Sequence, residues 1–219
     1  MHEMILQIKQ NKYIKVAAPR LITILIIAIN VLIFLFLEIV GDTEEADFMY
    51  RHGASYPTAI LENKEYWRFF TATFLHFGMA HLLNNMVILA CAGPFLEEAL
   101  GHLKFLFLYI VSAVGSSYIS YMQMYKSGDY AVSAGASGAI FGVIGGLLWV
   151  VIRHKGNYET LTTKGMIFMI ALSLYYGIST AGVDNWSHLG GLLIGFFLSI
   201  LMYRIKPKRI DLSVKNQYT

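Results

Sequence analysis

Three short polar segments interrupt an otherwise apolar sequence of 219 residues, and each brings a side chain that can move a proton or hold a developing charge. The first runs from His76 through His81 to Asn84 and Asn85, the second is Gly135-Ala136-Ser137-Gly138, and the third begins Ser187-His188-Leu189-Gly190-Gly191. A serine within reach of an imidazole is the minimal activated nucleophile. The neutral ring takes the hydroxyl proton during attack on a carbonyl and returns it to the leaving amine. Ser137 and His188 would supply that pair. Such a site also needs donors for the oxyanion. A backbone N–H at a helix start is unpaired, and His81 and Asn85, four apart on one helical face, add side-chain donors. Taken singly, each signal has a plain structural reading. A G-x-S-G in a Gly-rich helix serves close helix contact, and Asn84 or Asn85 alone serves an interhelical hydrogen bond.

Composition says what must position these residues. Hydrophobic residues make up 56% of the chain and charged ones 14%, against about 25% charged in soluble domains, and the mean hydropathy is +0.54. The excess apolar area must face lipid, which excludes a soluble enzyme. Residues 21–40, with Asn30 and Glu38 as their strongest polar interruptions, have the length of about 20 residues that a helix needs to cross hydrocarbon. Further apolar runs at 79–96, 103–124, 137–152, 166–181 and 187–203 predict an all-α membrane protein of six transmembrane helices. The basic segment before the first run resembles a secretory leader. The run is too long for one and no small-residue cleavage site follows, so it reads as retained. The single cysteine, Cys91, excludes an intrachain disulfide framework and a cysteine-based zinc or iron–sulfur cluster. A net charge of +3 is too small to point to nucleic acid.

With the amino terminus inside, thirteen of the 17 lysines and arginines fall on the cytoplasmic side, in residues 1–20, 97–104, 153–165 and from Arg204 onward. Arg51, Lys64, Arg68 and Lys126 lie on the other side, with most of the loop acids. The positive-inside rule therefore places both termini in the cytoplasm. The chain divides into a basic N-terminal segment (1–20), a membrane domain (21–204) and a cytoplasmic tail (205–219). Spans two, four and six then all run from outside to inside, so the three polar sets share the outer ends of their helices. Gly138, Gly142 and Gly145 fall within ~60° on the fourth helix, while His188, Gly191 and Gly195 line one face of the sixth. Pairing these two faces brings Ser137 against His188. The first outer connection, 41–78, is long and dense in aromatics such as Tyr66, Trp67, Phe69 and Phe70, which predicts an ordered segment at the membrane interface.

The three motifs H-F-G-M-A-H-L-L-N-N-M, G-A-S-G-A-I-F-G and D-N-W-S-H-L-G-G-L-L-I-G, in this order on spans two, four and six, resemble the rhomboid family of intramembrane serine proteases. Trp67-Arg68 and the G-P-F-L-E-E-A-L-G run at 93–101 add to the resemblance, which covers residues ~65–200. It implies a rhomboid-like bundle and hydrolysis of peptide bonds in or beside the bilayer by a Ser137–His188 dyad. Asn85, His81 and the Ser137 amide would stabilise the oxyanion. Phe141 stands where the family sets an aromatic ring, often Tyr, against the histidine, and Ser187 replaces the usual Ala before it. Gly138, Gly191 and Gly195 would support the helix contact. His76 matches a position of structural character. The resemblance implies transmembrane protein substrates within a lipid bilayer, cut near the outer face after a small residue, and no metal or organic cofactor. The six-span layout resembles the prokaryotic form, placed in the cell membrane. The residues around 182–186 would form a cap over the site.

Two other classes fit parts of the sequence. A small secondary transporter also uses Gly-interrupted helices, but no repeat relates the two halves and the polar groups gather at one side of the bilayer. A non-catalytic rhomboid-like membrane factor would normally lack the Ser or the His. Asp184 is the acid that a triad would recruit. With the sixth helix starting at about residue 187, it is expected in the outer loop, screened by water, leaving a dyad.

Overall fold

Long apolar runs in lipid leave the backbone no hydrogen-bond partner except itself, and the computed structural model, described for residues 20–180 and 182–205, is accordingly mostly helical. In chain order come α1 (Leu21–Val40), the short helices α2 (Ala46–Arg51), α3 (Pro57–Glu62) and α4 (Arg68–Thr71), then α5 (Gly78–Leu100), α6 (His102–Ser127), α7 (Ser137–Arg153), α8 (Thr163–Ser179) and α9 (Asn185–Met202). A two-residue antiparallel hairpin, β1 (Asn157–Tyr158) with β2 (Leu161–Thr162), leads into α8. By length and composition α1, α5, α6 and α9 can each cross a membrane, while α7 is apolar but only 17 residues long. α8 is also 17 residues, of which only Met166 and Gly177 are buried. The segments 1–19 and 206–219, which carry most of the two expected cytoplasmic extensions, and Ala181 lie outside the described residues.

α7 is the centre of the bundle. Eleven of its 17 residues are buried, from Gly138 to Val151, as expected of a helix apolar on every side. α9, α6 and α5 pack around it. The contact with α9 is backbone on backbone. A Cβ added at Gly191 would lie 1.9 Å from the Gly138 carbonyl oxygen, one at Gly195 1.9 Å from that of Gly142, and one at Gly145 2.0 Å from that of Leu192. No side chain fits at those separations. Gly195→Val should therefore force α9 off α7, at a cost of about 3 kcal/mol and a fall in thermal midpoint of roughly 5–10 °C in detergent. An unchanged midpoint would mean that this contact is not made.

α1 buries a single stripe, Thr23, Ile26, Asn30, Phe34 and Leu37, and turns the rest of its apolar surface outward. Its amino end is capped from far away. Glu97 of α5, 2% exposed, accepts from the Ile22 and Thr23 N–H groups, each at 2.9 Å, from Thr23 Oγ1 at 2.6 Å, and lies 2.5 Å from His102 Nδ1. Two of the unpaired N–H groups of a helix start are thus satisfied by one carboxylate.

The connection between α1 and α5 is folded through Arg68, which is 5% exposed. Its guanidinium donates to the Tyr50 carbonyl at 2.7 Å and the Ala54 carbonyl at 2.8 Å, pairs with Glu65 at 2.5 Å, and lies 4.5 Å over the Tyr50 ring and 4.7 Å over the Trp67 ring. This segment also reaches the loop ahead of α7, because Ser55 and Ser133 exchange both backbone hydrogen bonds, at 2.8 and 2.9 Å.

Candidate active site

The approach to Ser137 is fixed before the helix begins. Beyond the Ser133 bridge, the Gly135 N–H donates to the Ala72 carbonyl at 2.9 Å, and the Ala136 N–H points at His76 Nε2 at 3.4 Å. Gly135 has φ +139°, a conformation that side chains rarely adopt, and a Cβ there would strike His81 Nε2 at 2.9 Å. Ser137 is the first residue of α7, so its N–H has no carbonyl within the helix to bond.

The glycine also shows which asparagine faces the site. The position of a Cβ at Gly135 is 3.8 Å from Asn85 Nδ2, so the His81 and Asn85 nitrogens both lie beside the residue two before Ser137. Asn85 is buried, 4% exposed, and Asn84 is exposed. Asn85 Nδ2 has no hydrogen-bond partner among the described residues. A buried donor left unpaired is costly in a resting fold and becomes useful when an anion forms next to it.

His188 arrives from α9. Its ring stacks on Phe141, with centroids 4.3 Å apart and planes 11° from parallel. Phe141 is one turn after Ser137, and the glycine contacts seat the turn from Ser187 to Gly191 on Gly138, so His188 lies over the first turn of α7. His188 Nδ1 has no partner among the described residues. Among the described residues Asp184 makes no hydrogen bond with this ring nitrogen. The carboxylate of Asp184 instead caps α9, accepting from the Ser187 N–H at 2.9 Å, and is half-buried rather than lying in a screened loop as the sequence suggests. The reason is local: an Asp three residues before a helical N–H is a strong N-cap, which starts α9 at Asn185 and draws the acid out of the loop.

His76 is 1% exposed, and its ring meets His81 edge-on at 5.1 Å. Burial, with the His81 ring beside it, pushes the His76 imidazole down from 6.5 to about 3, so it stays neutral with Nε2 directed at the Ala136 N–H. Between those two pH values the unfolded chain binds a proton that the folded one does not. Stability is therefore complete above pH 6.5 and is lost as pH falls toward 3. The thermal midpoint should fall between pH 7 and 4.5, by on the order of 2 kcal/mol in stability at the lower value, and His76→Gln should show a lower midpoint at pH 7 with a flatter pH dependence. Equal slopes in the two proteins would remove His76 as the source.

The polar ends of α5, α7 and α9 thus meet around Gly135, Ser137 and His188. Over residues 63–205 the chain matches the sequence profile described as the rhomboid domain. The chain belongs to the rhomboid family. Rhomboid protease GluP of Bacillus subtilis (strain 168) is 35% identical over 176 residues, 80% of this chain and 33% of that protein. Putative rhomboid protease YdcA of the same strain is 34% identical over 149 residues, 68% of this chain and 73% of that protein. RHOMBOID-like protein 5 of Arabidopsis thaliana is 39% identical over 145 residues, 65% of this chain and 46% of that protein. The chain spans about a third of GluP and under half of the plant relative. Family and apolar helices together make this rhomboid an integral, multi-pass membrane protein.

Some contacts at the rhomboid site have no counterpart in the sequence motifs. The Ser133–Ser55 bridge and the His76–Ala136 contact join residues through the tertiary fold, while the cap formed by Asp184 is local. Of these, only the N-cap carries a local signal, an Asp three residues before Ser187 at the head of an apolar helix.

Proposed function

We propose that this rhomboid is an intramembrane serine endopeptidase. Ser137 is the nucleophile, and His188 takes its proton and returns it to the leaving amine. Asn85, His81 and the Ser137 N–H hold the oxyanion. Phe141 keeps the imidazole plane in place by stacking, and the Gly138, Gly191 and Gly195 contacts fix the spacing of the two helices. The observation that carries the reading is the buried Asn85 Nδ2, without a hydrogen-bond partner among the described residues and set with His81 beside the loop that delivers Ser137. The naming of GluP as a rhomboid protease agrees with it.

In this reading α1, α5, α6, α7, α8 and α9 all cross the bilayer, with both termini in the cytoplasm of a prokaryotic cell. The first connection rests at the outer interface, and residues 21–204 form the membrane domain between a basic N-terminal segment and a C-terminal tail. Substrates are transmembrane segments of other proteins, cut near the outer face. Helical carbonyls are already hydrogen-bonded, so the segment must unwind, which favours Gly, Ala or Pro close to the cut and a small residue before it. Movement of residues 182–186 would admit substrate and water. The test is cleavage of a purified single-span substrate in proteoliposomes, with the cut located by mass spectrometry. A cut within the outer half of the span supports the proposal, and an intact substrate alongside a folded protein favours a non-catalytic rhomboid-like factor.

A further inference from the structure

The proposed nucleophile and base stand on different helices, and a misplacement of about 1 Å between reacting groups can cost 10²-fold in rate. What holds them in register is therefore part of the chemistry. From Gly191 inward, α9 is locked to α7 by backbone contact. Toward the outer end the contacts with α7 pass through side chains instead, Ser187 over Gly138 and His188 on the Phe141 ring. α8, which precedes α9, buries only Met166 and Gly177 and meets the head of α9 at Asn185, whose Nδ2 donates to the Leu174 carbonyl at 3.4 Å. The outer end of α9 is held by the carboxylate of Asp184. Oδ1 accepts from the Ser187 N–H at 2.9 Å, while Oδ2 accepts from the Ser120 hydroxyl of α6 and from the Ser133 hydroxyl at 3.4 Å. Ser120 is 4% exposed.

The positions of these partners are informative. Ser133 is four residues before Ser137, on the loop that delivers the nucleophile and is bridged to Ser55. Asp184 is four residues before His188, and its carbonyl accepts the His188 N–H at 3.1 Å. One carboxylate thus joins the loop that carries the serine to the helix that carries the histidine, with α6 as the fixed third point. Three donors on a half-buried carboxylate make strong, directional bonds.

We propose that Asp184 is a positioning residue, the clamp that sets His188 against Ser137 through Ser120 and Ser133. It does not touch the imidazole and is not a triad member. This inference rests on the serine-protease reading above. Turnover is measured with a transmembrane reporter substrate and normalised to sites titrated by a fluorophosphonate, so that unfolded protein does not count. Asp184→Ala should lower titrated kcat by 10- to 100-fold with KM within twofold. Ser120→Ala and Ser133→Ala, which keep the helix cap, should each lower it about threefold. Asp184→Asn should restore kcat to within threefold of the parent, because Asn caps as well as Asp and its amide can donate to the two hydroxyls. Titrated kcat within twofold of the parent in Asp184→Ala, or in both serine variants where Asp184→Ala fails to fold, would overturn the clamp. So would an Asp184→Asn variant as slow as Asp184→Ala, since charge rather than geometry would then be at work. Ser137→Ala serves as the reference. If it still cleaves, another residue attacks and the Ser137–His188 assignment on which the clamp rests fails, whereas an inactive Ser137→Ala beside a fully active Asp184→Ala removes the clamp alone.

Discussion

Replacing Ser137 by Ala is expected to bring cleavage of a transmembrane reporter substrate below a few per cent of the parent, and His188→Ala should do the same. The two groups act as one unit: the hydroxyl attacks only as the ring takes its proton, so either loss removes the whole route. The double variant should be no slower than either single one. Neither change should unfold the protein. Ser137 is only partly buried and begins its helix, and the α7–α9 lock is made by glycines from Gly138 onward. Initial rates by gel assay, with thermal midpoints as the control, decide the matter. Retention of more than a few per cent by Ser137→Ala would show that another residue attacks.

The second large effect is expected at Asn85. Loss of one oxyanion donor typically costs about 10²–10³ in rate, because the donor acts on charge that appears only in the transition state. Asn85→Ala should fall by that factor in kcat. Asn84→Ala, one residue away and exposed, should stay within about twofold. Since Asn85 Nδ2 has no hydrogen-bond partner among the described residues, its removal should cost little stability, which separates this role from that of an interhelical packing amide. Equal rates for the two variants would take Asn85 out of the site.

What the sequence makes legible and what it leaves hidden follow a physical division. Helical periodicity places His81 with Asn85 and lines up the glycines of α7 and α9, and these are local patterns that need only 100° per residue. The rotation of the two glycine faces toward each other follows because small residues gain nothing in lipid except close contact with a neighbour. The end of α5 is less legible. Apolarity ends at Leu96, yet the helix runs on to Leu100, because Glu97 finds its donors at Ile22 and Thr23 on another helix. Similarly, α8 and α9 begin before their apolar runs, each started by a side-chain cap, Thr162 to the Gly165 N–H and Asp184 to the Ser187 N–H. Asp184 is the sharpest case. Its partners Ser120 and Ser133 stand 64 and 51 residues away, and no spacing rule connects them. The buried neutrality of His76 is hidden for the same reason, since it depends on what packs around the ring.

The most direct measurement of the central claim is covalent labelling of the purified protein in detergent by a fluorophosphonate, followed by peptide mass spectrometry to locate the adduct. Only a serine activated by a neighbouring base reacts readily with such a probe. The predicted result is one adduct, on Ser137, lost in Ser137→Ala and in His188→Ala and kept in Asn84→Ala. An adduct on any other serine, or undiminished labelling of Ser137 in the absence of His188, would contradict the Ser137–His188 dyad.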